Sequence, residues 1–73
     1  MNTEAAQPQP QAPTIEEAHP RTSTVRHRTL PLILGTVNGY GTDPFTGDRL
    51  VMVVWPGMVK PAGYKADEIA QEA

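Results

Sequence analysis

Few side chains in this sequence are of types that do chemistry, and their spacing favours contact over catalysis. A nucleophile needs a base within hydrogen-bond reach and a third group that orients the base. Ser23, the one serine, lies four positions from His19 and four from His27. It falls in a stretch that reads as a loop, with no carboxylate fixed beside it, so nucleophilic catalysis is not expected. The two histidines are eight apart with Pro20 between them. They lack the i, i+4 spacing of a helical metal pair and are expected to be solvated. Asp43 and Asp48 flank Pro44 and Phe45, which does not match a calcium loop, and roles in a turn account for both. Gly35, Gly39 and Gly41 are followed neither by a helix nor by Gly-Lys-Ser/Thr, so they mark bends and bulges, not a phosphate cradle. The expectation is a non-enzyme with no catalytic residue, metal or cofactor.

The residues suited to contact are of two kinds. Arg21, Arg26 and Arg28 place three positive charges within eight positions, with His27 among them. In an extended segment Arg26 and Arg28 project from the same side. They suit either the phosphates of a nucleic acid or the carboxylates of an acidic protein, including the acidic ends of another copy of this chain; the alternative is a solvated linker. The second kind is apolar. Trp55 and Met58 bracket Pro56-Gly57 and are candidate anchors, although core packing is the commoner role for a tryptophan. Phe45 sits where a turn tip is expected, with little of its own hairpin to bury against. The candidate partner-binding set is therefore Arg21, Arg26, Arg28, Phe45, Trp55 and Met58.

Composition limits what can hold these residues in place. The chain has 73 residues, 8 acidic and 6 basic, with 8 prolines, 6 glycines and no cysteine. There is room for one small domain, and neither disulfides nor a thiolate metal site can staple it. A net charge of −2 argues against a general polyanion binder. The first residues have neither the basic nor the apolar region of a secretory signal, and no apolar run approaches the roughly 18 residues that span a bilayer. The expected location is a cytoplasm or a virion.

Charge and proline divide the chain. Residues 1–20 carry Pro8, Pro10, Pro13 and Pro20 among Gln, Ala, Glu and Thr, too little apolar surface to offset ordering, so an extended arm is expected. Within it Thr14 and Glu17 have capping-box spacing for one helical turn before Pro20. Residues 21–29 are a basic joint between an acidic arm and an acidic tail. Residues 30–64 must form the core. In 43–48 (Asp-Pro-Phe-Thr-Gly-Asp), Asp43 can accept the amide of Phe45, Pro44 presets φ, and Gly47 suits a left-handed position. The spacing predicts a hairpin of 36–42 against 48–55. Residues 30–34 form a further strand or an extended edge, because Pro31 removes a ladder donor, and 58–60 suit one more short strand. Residues 65–73 show Ala66, Ile69, Ala70 and Ala73 at helical spacing, predicting a short C-terminal helix.

Residues 50–55 have no polar face. Leu50, Met52 and Val54 point one way; Val51, Val53 and Trp55 point the other. A half-buried antiparallel strand alternates apolar with polar, so both sides of this one need cover, from a compact fold or from another chain. The string Gly35-Thr36-Val37, Thr46-Gly47-Asp48 and Val51-x-Val53-x-Trp55 resembles the central strands of small SH3-like barrels over about 20 residues. The resemblance implies a topology and no function. The fold class expected is thus mainly β: a small hairpin-centred antiparallel sheet or partial SH3-like barrel, with an extended N-terminal arm and a short C-terminal helix.

A sticky strand and a long arm suit a non-enzymatic structural or interaction protein that docks into a larger assembly. A capsid decoration or head–tail accessory subunit of a virion is the most concrete instance. Two alternatives stay open: a small regulatory inhibitor or adaptor that adds a β-strand to a partner, and a minor nucleic-acid-binding protein using the three arginines. The partner is expected to be a protein or a second copy, with no membrane.

Overall fold

The computed structural model describes residues 13–72. The protein is mainly β. One helical turn, α1 (Ile15–Ala18), precedes β1 (Thr24–His27), β2 (Leu30–Thr42), β3 (Arg49–Val54) and β4 (Ala62–Tyr64); a 3-10 turn (Ala66–Glu68) leads to β5 (Ile69–Gln71). All neighbours are antiparallel, and the strand order is β4-β3-β2-β1-β5. Among the described residues no helix is long and apolar enough to cross a membrane.

The two edge strands, β4 and β5, are joined by residues 65–68 alone. In a flat sheet four strand spacings of about 4.8 Å would separate them, more than a four-residue link containing a 3-10 turn can span. The sheet therefore curls, and the ring of His27 on β1 meets that of Tyr64 on β4 edge-on at 5.3 Å. β4 and β5 do not pair, so the sheet stays open. The result is the partial barrel that the resemblance implied.

The inner face holds the core: Val25, Val37, Val51, Val53, Trp55 and Ile69, with Ile15, Tyr40, Ala62 and Tyr64 packed around it. Gly35 is required beneath the indole. A Cβ there would lie 2.6 Å from Trp55 Cε3 and 2.6 Å from Val53 Cγ1. On the outer face Leu50, Met52 and Val54 are half-buried. The register sets Leu50 opposite Gly41, and Met52 between Gly39 and Gly63. Missing side chains on the neighbouring strands make room for Leu50 and Met52: a Cβ on Gly63 would lie 3.1 Å from Leu50 Cδ1 and 3.2 Å from Met52 Sδ. The two-faced strand thus hides one side completely and the other in part.

The local expectations hold where the chemistry is local. Thr14 Oγ1 accepts the amide of Glu17 at 3.1 Å and Glu17 Oε1 accepts that of Thr14 at 2.9 Å, closing the capping box. In the hairpin, Asp43 Oδ1 accepts the amide of Phe45 at 2.8 Å and Gly47 adopts φ +78°. Strands β2 and β3 pair from Thr36–Val54 to Thr42–Arg49, with a bulge between Val37 and Gly39.

Four expectations need correction. The arm expected over 1–20 lies outside the described residues as far as residue 12. From Thr14 the chain belongs to the body, because Ile15 reaches the core and His19 is only 6 % exposed. Part of the joint expected over 21–29 is strand β1, held between β2 and β5. The tail makes a single 3-10 turn and then a strand in place of a short helix. Ile69 is fully buried, and β5 supplies partners to a β1 edge that a helix would leave without them. Residues 58–60 are not a strand; β4 begins at Ala62, past Pro61.

Candidate functional site

The surface best suited to contact lies where β1, β2 and the segment after β3 converge. His27 pairs with Leu30 across the β1–β2 turn, and Arg26 pairs next with Leu34. Residues 31–33 are therefore extra on β2 and bulge out of the ladder. Pro31 has no N–H to donate, so regular pairing cannot continue through it. Its carbonyl is taken by the guanidinium of Arg26, Nη1 to O at 2.7 Å. The bulge forms a ridge whose apex, Leu32, is 94 % exposed.

Beside this ridge runs a groove of about 270 Å³, lined by His27, Leu30, Ile33, Trp55, Pro56, Met58 and Tyr64. Leu30 and Ile33 also line a second, more open depression of about 430 Å³, with Thr29, Pro31 and Leu32. The apolar surface is thus continuous over the ridge, and Val59, 95 % exposed, follows Met58 at its rim. Two aromatic residues of the groove wall are tied to each other. Trp55 Nε1 donates to the Tyr64 hydroxyl at 2.9 Å, and the two rings meet edge-to-face. His27 is the one titratable imidazole in the lining. Its Nδ1 accepts the Thr29 amide at 3.1 Å and lies 2.8 Å from the Thr29 hydroxyl, so this nitrogen is the unprotonated one.

Of the residues singled out from sequence, Trp55 and Met58 come together here. Trp55 serves as core and as groove floor at once. Phe45, 94 % exposed, stands at the hairpin tip, at the opposite end of β3. Two of the three arginines are engaged by groups of their own chain, while Arg21 is exposed. Arg26 pairs with Glu72 as well as with Pro31, and Arg28 Nε donates to the Asp67 carbonyl at 2.8 Å. The guanidinium of Arg21 lies over Gly39. Sequence reasoning missed Leu30, Leu32 and Ile33. The available signal was a proline inside an otherwise aliphatic run, which marks a bulge as readily as an edge strand.

The residues weighed for catalysis are dispersed. Ser23 Oγ donates to the Pro20 carbonyl, within its own turn. His19 is not solvated but buried: Nε2 faces the Ala66 carbonyl at 3.2 Å and Nδ1 faces the Gln71 side chain at 2.7 Å. Through these two contacts the ring ties the end of α1 to the 3-10 turn and β5. The Tyr40 hydroxyl donates to the His19 carbonyl at 2.8 Å and strengthens the same joint. Asp43 caps its turn, while Asp48 accepts from the Thr46 hydroxyl and pairs with Lys65. Among the described residues no group of three His, Asp or Glu is placed to hold a metal ion. No known protein family, characterised protein or solved structure matches the chain.

Proposed function

We propose that this chain is a non-enzymatic structural or interaction protein that docks into a larger assembly through the apolar end of its sheet. One observation carries the reading: Leu30, Leu32, Ile33, Met58 and Val59 are exposed at one end of the sheet, against six buried hydrophobic residues among those described. Contiguous apolar surface of this kind marks contact sites in soluble proteins. The groove beside it has apolar walls and one imidazole, which suits aliphatic side chains more than a charged or polar small molecule.

The alternatives draw less support. Strand addition needs a length of free backbone donors, and the edge strands β4 and β5 are three residues each. Phosphate binding by the three arginines would fall chiefly to the exposed Arg21, because Arg26 and Arg28 hold groups of their own chain.

The test is the size of the particle that carries the chain in its native cells. Velocity sedimentation of a gentle lysate is expected to place it in a complex far larger than 7.9 kDa. Leu32→Asp should release it to the light fractions. A native chain that sediments as a free small protein would overturn the proposal.

A further inference from the structure

We infer that the apolar end is a self-complementary interface, and that its occupant is a second copy of this chain related by a two-fold axis. The inference rests on the docking surface proposed above and names what covers it. Ridge and groove lie side by side and share Leu30 and Ile33. A two-fold rotation about an axis between them seats the ridge of each copy in the groove of the other, as an isologous contact requires.

Area and shape favour this occupant. The exposed parts of Leu30, Leu32, Ile33, Met58 and Val59, with Pro31 and Pro56, amount to roughly 600 Å², at the top of the range for the largest patch of a monomer. Two such patches face to face would bury about 1,200 Å², the lower bound of a specific interface. The two depressions, about 270 and 430 Å³, are open and apolar in their lining, a fit for aliphatic side chains. Neither depression is lined by Asp, Glu, Lys or Arg, so the surface offers no charge by which to select a charged partner. A head-to-tail contact with Phe45 in the groove is the competing geometry. It brings one side chain from a narrow turn and buries far less area.

Sedimentation equilibrium of the purified full chain, from micromolar to several hundred micromolar, tests the inference. A reversible monomer–dimer equilibrium is expected, undiminished in 1 M salt because apolar contact is not screened. Leu32→Asp should leave the circular dichroism unchanged and weaken the dimer about a hundredfold or more, because a two-fold dimer loses one buried leucine from each copy. The chain has no cysteine, which permits a geometric test. Mixed Leu32→Cys and Met58→Cys chains should form a disulfide with each other on mild oxidation. Cross-linking of Phe45→Cys to Met58→Cys in its place, open-ended growth with concentration, or a monomer throughout would each overturn the two-fold pairing. A purified chain that stays monomeric while the native chain sediments in a large complex refutes the pairing alone. A dimer in both settings refutes the larger assembly alone.

Discussion

The indole N–H of Trp55 is satisfied by one atom, the hydroxyl of Tyr64, at 2.9 Å, with the rings perpendicular at a centroid distance of 5.8 Å. Trp55 follows β3 and Tyr64 ends β4, so this contact ties the last turn of the sheet to its edge and sets the groove wall. Tyr64→Phe keeps the edge-to-face packing and removes the acceptor. It is expected to destabilise the fold by about 1–2 kcal/mol, the cost of an unpaired donor in a largely buried site. Urea denaturation followed by Trp55 fluorescence measures this; an unchanged midpoint would show that water replaces the hydroxyl at no cost.

Gly35 is where the backbone of β2 passes under the core. Gly35→Ala sets a methyl within 2.6 Å of both Trp55 and Val53, each buried and unable to move aside. A loss of about 2–3 kcal/mol is expected. Gly41→Ala is the control, since its nearest neighbour is the flexible Met52 thioether at 3.4 Å, and a change within about 0.5 kcal/mol is expected for an ordinary surface-type substitution. Thermal melts of the two variants should separate clearly.

Ile69 and Leu32 are both large aliphatics with opposite exposures. Ile69→Ala empties a site of 0 % exposure on β5 and is expected to cost about 2–4 kcal/mol and to open the β1–β5 pairing. Leu32→Ala should leave the melting temperature of the monomer within error. Hydrogen exchange at the amides of 69–72 would report the opening directly. Equal effects of the two substitutions would contradict the burial pattern.

Glu16 is held below its ordinary value of 4.5, first by the hydrogen bond from Arg49, then by the backbone and the guanidinium charge. Its folded pKa is thus lower than its unfolded one. The stability it contributes is present above the unfolded value and is lost as pH falls through the folded value. Wild type and Glu16→Gln should therefore converge as acid is added below about pH 4.5, and differ slightly above it, as exposed pairs do. In Arg49→Met the Glu16 carboxyl should titrate closer to 4.5 by NMR; an unmoved titration would remove Arg49 as the cause.

How much was legible from sequence depended on distance along the chain. The capping box at Thr14 and Glu17 and the Asp43 turn are made by groups two to four residues apart, so residue types alone specify them. The hairpin register follows from that turn. The helical spacing of Ala66, Ile69 and Ala70 was also real, but two alanines offer little to bury, and Ile69 gains more inside the sheet. Pro31 was read correctly as interrupting the ladder, while the direction in which the chain would leave it depended on what lay opposite.

The candidate site divides in the same way. Residue types marked Trp55 and Met58 as apolar contacts near a strand end, and marked Arg26 and Arg28 as cations in need of acceptors. Whether those acceptors were a partner's or the chain's own was decided by β5, which leads directly into Glu72 beside Arg26, and by the 3-10 turn, which carries the Asp67 carbonyl to Arg28. The amino-acid sequence by itself determined the turns, the β3 strand and the apolar balance, because these rest on dihedral preference, short-range hydrogen bonds and side-chain type. Tertiary structure decided the curl, the burial of His19 and the ridge beside its groove. Those arise only when a short link forces the two edges of a five-stranded sheet toward each other, a constraint no local window of residues contains.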